Sequence, residues 1–239
     1  MKKIVVLMMI LLMSAAAVNA VPLGQWLLDD GSGTVAADSS GNGADMSLTY
    51  GNPSWLTDHP QYGTGFSFGS TQRFTVAYPT EGFAFDMSES FTLSMTVSVN
   101  PAVNSATLMG RYSNDQWTYG GKTLNLSGGV LNWQCNGIGA LSGTTNVADG
   151  SFHDIAVQFD SSTGLLSMFV DGNLDASGDF SNMALVTDAF DFNLGSHIYL
   201  AGFGLYQPYF GIMRDVQITP EPATLALLGL GGMMLRRKK

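Results

Sequence analysis

Nine residues constrain the fold of this chain more than any others: Phe91-Thr92-Leu93-Ser94-Met95-Thr96-Val97-Ser98-Val99. Apolar and hydroxyl side chains alternate along them without a break. A period of two belongs to a β-strand, whose successive side chains leave opposite faces. An amphipathic helix needs apolar residues three and four apart instead. The pattern predicts a half-buried strand with Phe91, Leu93, Met95, Val97 and Val99 inward and the Ser/Thr face outward. Phe152 to Phe159 repeats the logic with His153, Ile155, Val157 and Phe159 on the core-facing side. Leu165 to Val170 follows the turn residues Ser161-Ser162-Thr163-Gly164 and leads into Asp171-Gly172, a tight-turn dipeptide. Residues 152–176 therefore read as consecutive antiparallel strands. Shorter candidates are 66–68, 73–77, 107–112, 123–127, 130–135, 190–194 and 212–218. Many short strands divided by Gly, Asn, Asp and Ser turns predict an all-β fold, an antiparallel sandwich or jelly roll, in one domain over residues 21–219.

The two ends follow different rules. Lys2 and Lys3 precede a ten-residue apolar run, Ile4 to Met13, and Val18-Asn19-Ala20 offers small residues to a signal peptidase. Residues 1–20 are expected to be an export signal cleaved after Ala20. At the other end, Thr219-Pro220-Glu221-Pro222 precedes a largely apolar stretch, Ala223 to Leu235, and then Arg236-Arg237-Lys238-Lys239. Those thirteen apolar-stretch residues would cover roughly 20 Å as a helix, short of the ~30 Å hydrocarbon core. Snorkelling of the basic tail or local thinning of the bilayer would make up the difference. The four terminal cations would stay cytoplasmic under the positive-inside rule, leaving the body outside.

This tail resembles the bacterial PEP-CTERM sorting signal over residues 220–239. The Pro-Glu-Pro box, the Leu-Gly-rich span Leu227-Leu228-Gly229-Leu230-Gly231 and the basic end stand in that family's order. The resemblance implies a temporary membrane anchor, with Pro220, Glu221 and Pro222 recognised by a membrane protease, exosortase. It also implies a bacterium that makes extracellular polysaccharide, and a product at the cell surface or beyond. The alternative is a plain anchor that is never cut.

Charge narrows the partners. The formal net charge is −9, and six of the ten bases lie in the terminal segments. Residues 21–219 hold 18 acids against four bases, Arg73, Arg111, Lys122 and Arg214. Such a body repels phosphate backbones, which excludes nucleic acid as a partner. The single cysteine, Cys135, forms no internal disulfide and falls in phase with Leu131 and Trp133, as a small buried hydrophobe.

The body resembles LamG-like domains of the concanavalin A-like lectin/glucanase fold. Trp26-Leu27-Leu28-Asp29 with Asp38-Ser39-Ser40-Gly41-Asn42-Gly43 looks like the opening of that family, and Ser90 to Ser94 like its central strand. Phe152-His153-Asp154-Ile155-Ala156 looks like its Trp-His-x-x-Ala strand, with Phe152 in place of Trp. Leu166 to Gly172 and Phe210 to Val216 look like the strand ending in Val-Asp-Gly and the closing strand. The fold hosts lectins, enzymes and adhesive modules, so the resemblance does not choose among them. Its laminarinase-like hydrolases carry Glu-x-Asp-x-x-Glu. Here Asp86 and Glu89 match the last two acids, but Ala84 stands where the nucleophile belongs. Without that carboxylate the double displacement has no nucleophile, and the expectation is a non-catalytic protein. Gly65-Phe66-Ser67-Phe68-Gly69 lacks the helix a nucleophile elbow needs, and His59, His153 and His197 lack metal-pair spacing.

Two binding readings remain. Some relatives of this fold hold a structural calcium near their terminal strands. Asp38, a carbonyl in residues 39–43 and Asp215 on the closing strand form the candidate set, the alternative being a turn satisfied by its own backbone. Glycans need exposed rings with nearby amides. Trp117 and Tyr119 in one string, and Tyr206 and Tyr209 in another, are the candidates, with core packing as the alternative. The expected partner is an extracellular polysaccharide or other glycan, bound in a sugar-binding or adhesive role. A purely architectural matrix protein and a polysaccharide-active hydrolase or lyase are the rivals.

Overall fold

The computed structural model describes residues 21–220 apart from 70, 79, 81, 82, 84, 113–117, 188, 197, 198, 201–203 and 206. The expected export signal, Trp117, Tyr206, Glu221 and Pro222 lie outside the described residues.

In chain order the strands are β1 (Gly24–Trp26), β2 (Val35–Ala36), β3 (Met46–Tyr50), β4 (Trp55–His59), β5 (Gly63–Gly69) and β6 (Arg73–Val76). Then come β7 (Phe91–Val99), β8 (Ser105–Arg111), β9 (Lys122–Ser127), β10 (Val130–Cys135), β11 (Gly139–Asn146) and β12 (Phe152–Asp160). The last are β13 (Leu165–Val170), β14 (Asn173–Asp179), β15 (Phe192–Leu194), β16 (Tyr199–Leu200), β17 (Gly204–Leu205) and β18 (Phe210–Pro220). One sheet runs β14-β13-β12-β7-β18-β5-β4 with β1 also beside β18; the other runs β11-β10-β9-β8-β15-β6-β3-β2. Every pairing between these strands is antiparallel. This is the predicted sandwich.

β7 behaves as its alternation requires. Phe91, Leu93, Met95, Val97 and Val99 are buried, and Thr92, Ser94 and Thr96 are half-buried on the other face. Its partner β12 puts Ile155, Val157 and Phe159 opposite Met95, Leu93 and Phe91. The facing sheet contributes Phe74, Met109, Leu124, Leu126, Leu131, Trp133, Phe192 and Leu194, all fully buried or nearly so. Rings bridge the layers: Phe91 lies 6.1 Å from Trp133, and Trp26 stacks on Phe192 at 5.5 Å. Trp26, Trp133 and Cys135 are core residues, as expected.

β18 changes neighbours along its length. Phe210 to Met213 pair with β5, while Val216 to Ile218 pair with β1. Between them, its register against β7 shifts after Arg214. Asp215 takes up that shift in left-handed backbone (φ 54°), its N–H donating to Leu27 O at 3.3 Å. Such a bulge turns the strand where one edge hands over to another. Leu23 N–H also donates to Ile218 O at 2.7 Å, so residue 21 and residue 220 emerge at the same pole of the sandwich.

Two charges lie inside. Arg111 and Lys122 face each other across β8 and β9 with no exposed surface. Arg111 Nη1 donates to Phe85 O at 2.7 Å, and Lys122 Nζ donates to Val186 O at 3.4 Å.

Candidate functional site

The aromatic candidates separate. Tyr119 is 62% exposed, and its ring lies over Gly137, where a Cβ would meet it at 2.4 Å. That ring is open to solvent. Tyr209 is not, which corrects the expectation for it. It is 0% exposed, its ring 5.4 Å from Phe68, and its hydroxyl shares one proton between Ser98 O (3.0 Å) and Ile212 O (2.9 Å). Burial pushes its phenol far above the ordinary range. The sequence string around Tyr209 is Gly-rich and polar, which reads as a loop. The residue itself is the plug beneath the start of β18.

The two carboxylates of the calcium set are engaged by protein partners. Asp38 Oδ1 accepts from Gln25 N–H (3.0 Å) and Ser40 N–H (2.9 Å), and Oδ2 from Ser40 Oγ (2.7 Å) and Ala44 N–H (3.0 Å). Four donors fill the four lone-pair sites of the carboxylate, which leaves none for a cation. Burial works against its charge, but those hydrogen bonds outweigh it and hold the carboxyl below its usual range. Asp215 is the bulge residue of β18, exposed and 3.7 Å from Arg214 Nε. Among the described residues, no group of three or more His, Cys, Asp or Glu side chains is placed to hold a metal. The turn is organised around the Asp38 carboxylate, which collects donors from within the turn and from β1.

The acid pair is also engaged structurally. Asp86 Oδ1 accepts from Ser88 N–H at 2.8 Å, and Asp86 O from Glu89 N–H at 3.1 Å, so Asp86 shapes the turn into β7. Glu89 is exposed.

One polar cluster was not foreseen. His153 shares the parity of Ile155 but sits at the entrance of β12, its side chain 12% exposed between two carboxylates. Its Nδ1 lies 2.8 Å from Asp171 Oδ2 and its Nε2 3.2 Å from Asp149 Oδ1. Asp171 Oδ1 accepts from Asp154 N–H at 3.0 Å. The Phe-His-Asp-Ile-Ala string and the Val-Asp-Gly turn are therefore bonded to each other, and their joint appearance in the sequence was the available signal. Burial disfavours the imidazolium, but the hydrogen bonds and charges of Asp171 and Asp149 outweigh it and raise the pKa of His153. Hydrogen bonds, from Ser151 N–H to Asp149 and from His153 to Asp171, lower those two carboxyls.

At the sorting end, Pro220 is the last residue of β18 and pairs with Phe91. Among the described residues no helix is long and apolar enough to cross a membrane, and the two segments expected to meet one lie outside them.

Comparison with known proteins agrees with this architecture. Residues 219–239 match the PEP-CTERM protein-sorting motif. Among solved structures, the botulinum neurotoxin serotype D binding domain is similar at 14% identity with a TM-score of 0.59. The match covers 83% of this chain and 48% of that one. The binding domain of botulinum neurotoxin DC in complex with rat synaptotagmin II is similar at 13% identity and a TM-score of 0.62, with the same coverage. The chain thus spans about half the length of these structures, and at such identities the likeness is one of fold. No curated protein matches the chain. Residues 68–226 match the family profile of the concanavalin A-like lectin/glucanases superfamily, Laminin_G_3, and with most of the sandwich inside that match the chain belongs to this superfamily.

Proposed function

We propose that this is an exported, non-catalytic carbohydrate-binding or adhesive protein, delivered through the PEP-CTERM route and associated with extracellular polysaccharide. The observation that carries the reading is the junction at residue 219. The sorting motif begins inside β18, so the cargo of the tail is the lectin-type sandwich itself. The tail anchors the chain in the cytoplasmic membrane until an exosortase-type protease acts near Pro220-Glu221-Pro222, and the body then reaches the cell surface. Exposed Tyr119 supplies a ring for a sugar face. The absent carboxylate at Ala84 and the structural role of Asp86 speak against hydrolysis.

The test uses the full chain in a detergent without sugar headgroups, on a panel of neutral and uronate-rich polysaccharides. Binding and reducing-end release are measured on the same samples. Saturable binding without products is expected. Product release overturns the non-catalytic reading, and the absence of binding across the panel overturns the carbohydrate reading.

A further inference from the structure

The outward face of the first sheet carries a groove that none of the sequence candidates line. Its floor is a single row across neighbouring strands. Ile212 of β18 pairs with Ser98 of β7 on one side and with Ser67 of β5 on the other. Phe210 at the start of β18, with Tyr62, Pro101 and Asn100 from the neighbouring turns, surrounds that row and lines a cavity of about 230 Å³. Gly211 lets this end of β18 pack tightly over the buried Tyr209. A Cβ there would meet Ser98 O at 2.1 Å and Tyr209 Oη at 2.8 Å.

The chemistry of the lining is specific. Phe210 is 38% exposed, unusual for a phenylalanine, and the half-buried Tyr62 ring, stacked on His59 at 4.9 Å on one side, contributes a second wall. Ser67, Ser98 and Asn100 supply polar side chains to the lining, the Ser98 hydroxyl donating to Gly150 O at 3.0 Å and keeping its oxygen as an acceptor. The Asn100 carbonyl oxygen accepts from Ala102 N–H at 2.9 Å, which fixes that amide in place. No charged side chain is among the described residues lining the groove, although the chain as a whole carries a net charge of −9. The nearest cation, Arg214, is held over the Phe152 ring at 4.4 Å, with Nη1 donating to Tyr62 O at 3.4 Å. Phe152 is the neighbour of Ser98 in the same row. Flat apolar walls with hydroxyl and amide groups in the same lining match a pyranose, which has apolar C–H faces and a polar equator. A wall without charge selects a neutral ring over a uronate, whose carboxylate would lose its hydration unpaired.

Position adds to this. The groove lies at the Phe210 end of β18, and the sorting motif leaves from the Pro220 end. An eleven-residue strand separates them by roughly 30 Å. The groove therefore lies near the opposite end of the strand from the tail.

We infer that this groove is a binding site for one neutral pyranose unit of a glycan chain, held between Phe210 and Tyr62 over the Ser67–Ile212–Ser98 floor. The inference rests on the carbohydrate reading above and gives it a location and a sugar class.

The test is the same polysaccharide panel with the full chain and three variants. Phe210→Ala removes a wall, Ser67→Phe fills the groove from its floor, and Leu185→Ala changes an exposed side chain outside it. Far-UV circular dichroism and thermal melting accompany each, so that Ser67→Phe still decides the matter if Phe210→Ala fails to fold. Both groove variants are expected to bind neutral polysaccharides roughly tenfold more weakly, with Leu185→Ala unchanged. Undiminished binding by folded groove variants overturns the site and leaves the carbohydrate reading standing. Preference for uronate-rich chains overturns the neutral-sugar assignment. No binding by the parent chain overturns both.

Discussion

Tyr209 illustrates how one residue's surroundings settle what its sequence context leaves open. Its hydroxyl donates to two buried strand carbonyls, Ser98 O and Ile212 O. Tyr209→Phe is expected to cost about 1–2 kcal/mol in denaturant unfolding and to leave glycan binding intact. Loss of binding at unchanged stability would return Tyr209 to the sugar site. Asp38 makes a second case. Because its lone pairs are filled by protein donors, EDTA and added calcium are both expected to leave the melting temperature unchanged. His153 gives a pH signature. A raised pKa means that its contribution to stability is full below about 6.5 and fades as pH rises through the higher folded value. The lowered carboxyls of Asp149 and Asp171 contribute above about 3.8 and lose their contribution as pH falls. The cluster therefore stabilises most between about pH 4 and 6.5. The parent chain should gain on the order of 1–2 °C over His153→Gln at pH 5.5 relative to pH 8, a small shift because solvent screens the pairs. An equal gap at both pH values would show that the imidazole does not titrate in this window.

Among the elements, β11 shows where pattern reading stops. Gly139 to Asn146 has no apolar alternation, and most of the strand is exposed. Nothing in its own residues marks it as a strand. Its place depends on Asp175 of β14, at the edge of the other sheet. Asp175 Oδ1 accepts from Thr144 N–H and Oγ1 (both 3.1 Å) and from Thr145 N–H (2.9 Å) and Oγ1 (2.8 Å). One carboxylate thus ties the two sheets along their shared border. Gly143 makes room for it, since a Cβ there would sit 1.8 Å from Asp175 Oδ2. Asp175→Ala is expected to cost about 1–2 kcal/mol and to speed hydrogen exchange in 139–146 above the rest of the sandwich. Uniform exchange would show that β10 alone holds β11. The contrast with β7 and β12 is physical. Those strands lie at the centre of a layer with one buried face, so burial imprints a period of two on them. Edge strands such as β4 and β11 are specified by long-range bonds, which leave no local period. The candidate site divides on the same line. Phe210 and Ser67 are ordinary strand residues in the sequence, and only the pairing of β18 with β5 and β7 brings them to one groove. The sorting motif needs no such assembly, being contiguous, and was legible at once.

For the molecule as a whole, three of the four body cations, Arg73, Arg111 and Lys122, are buried, which leaves the exterior more acidic than its composition implies. The chain's last strand is also its structural axis. Val216 and Ile218 are fully buried, and burying a Val or Ile side chain is worth about 1.5–3 kcal/mol. A chain ending at Pro220 should melt like the full chain, and one ending at Arg214 should lose at least about 3 kcal/mol or fail to fold. Equal melting of the two would mean that β18 contributes little beyond its bulge. β18 lies between β7 and, in turn, β5 and β1, and the sorting tail continues from its end. Tension applied through the tail would enter the sheet away from its edges, along the strand. Ladder hydrogen bonds run across that direction, so they share the load in shear instead of parting one by one as at a peeled edge. Load applied at the Pro220 end of β18 would therefore meet the sheet in shear along its length.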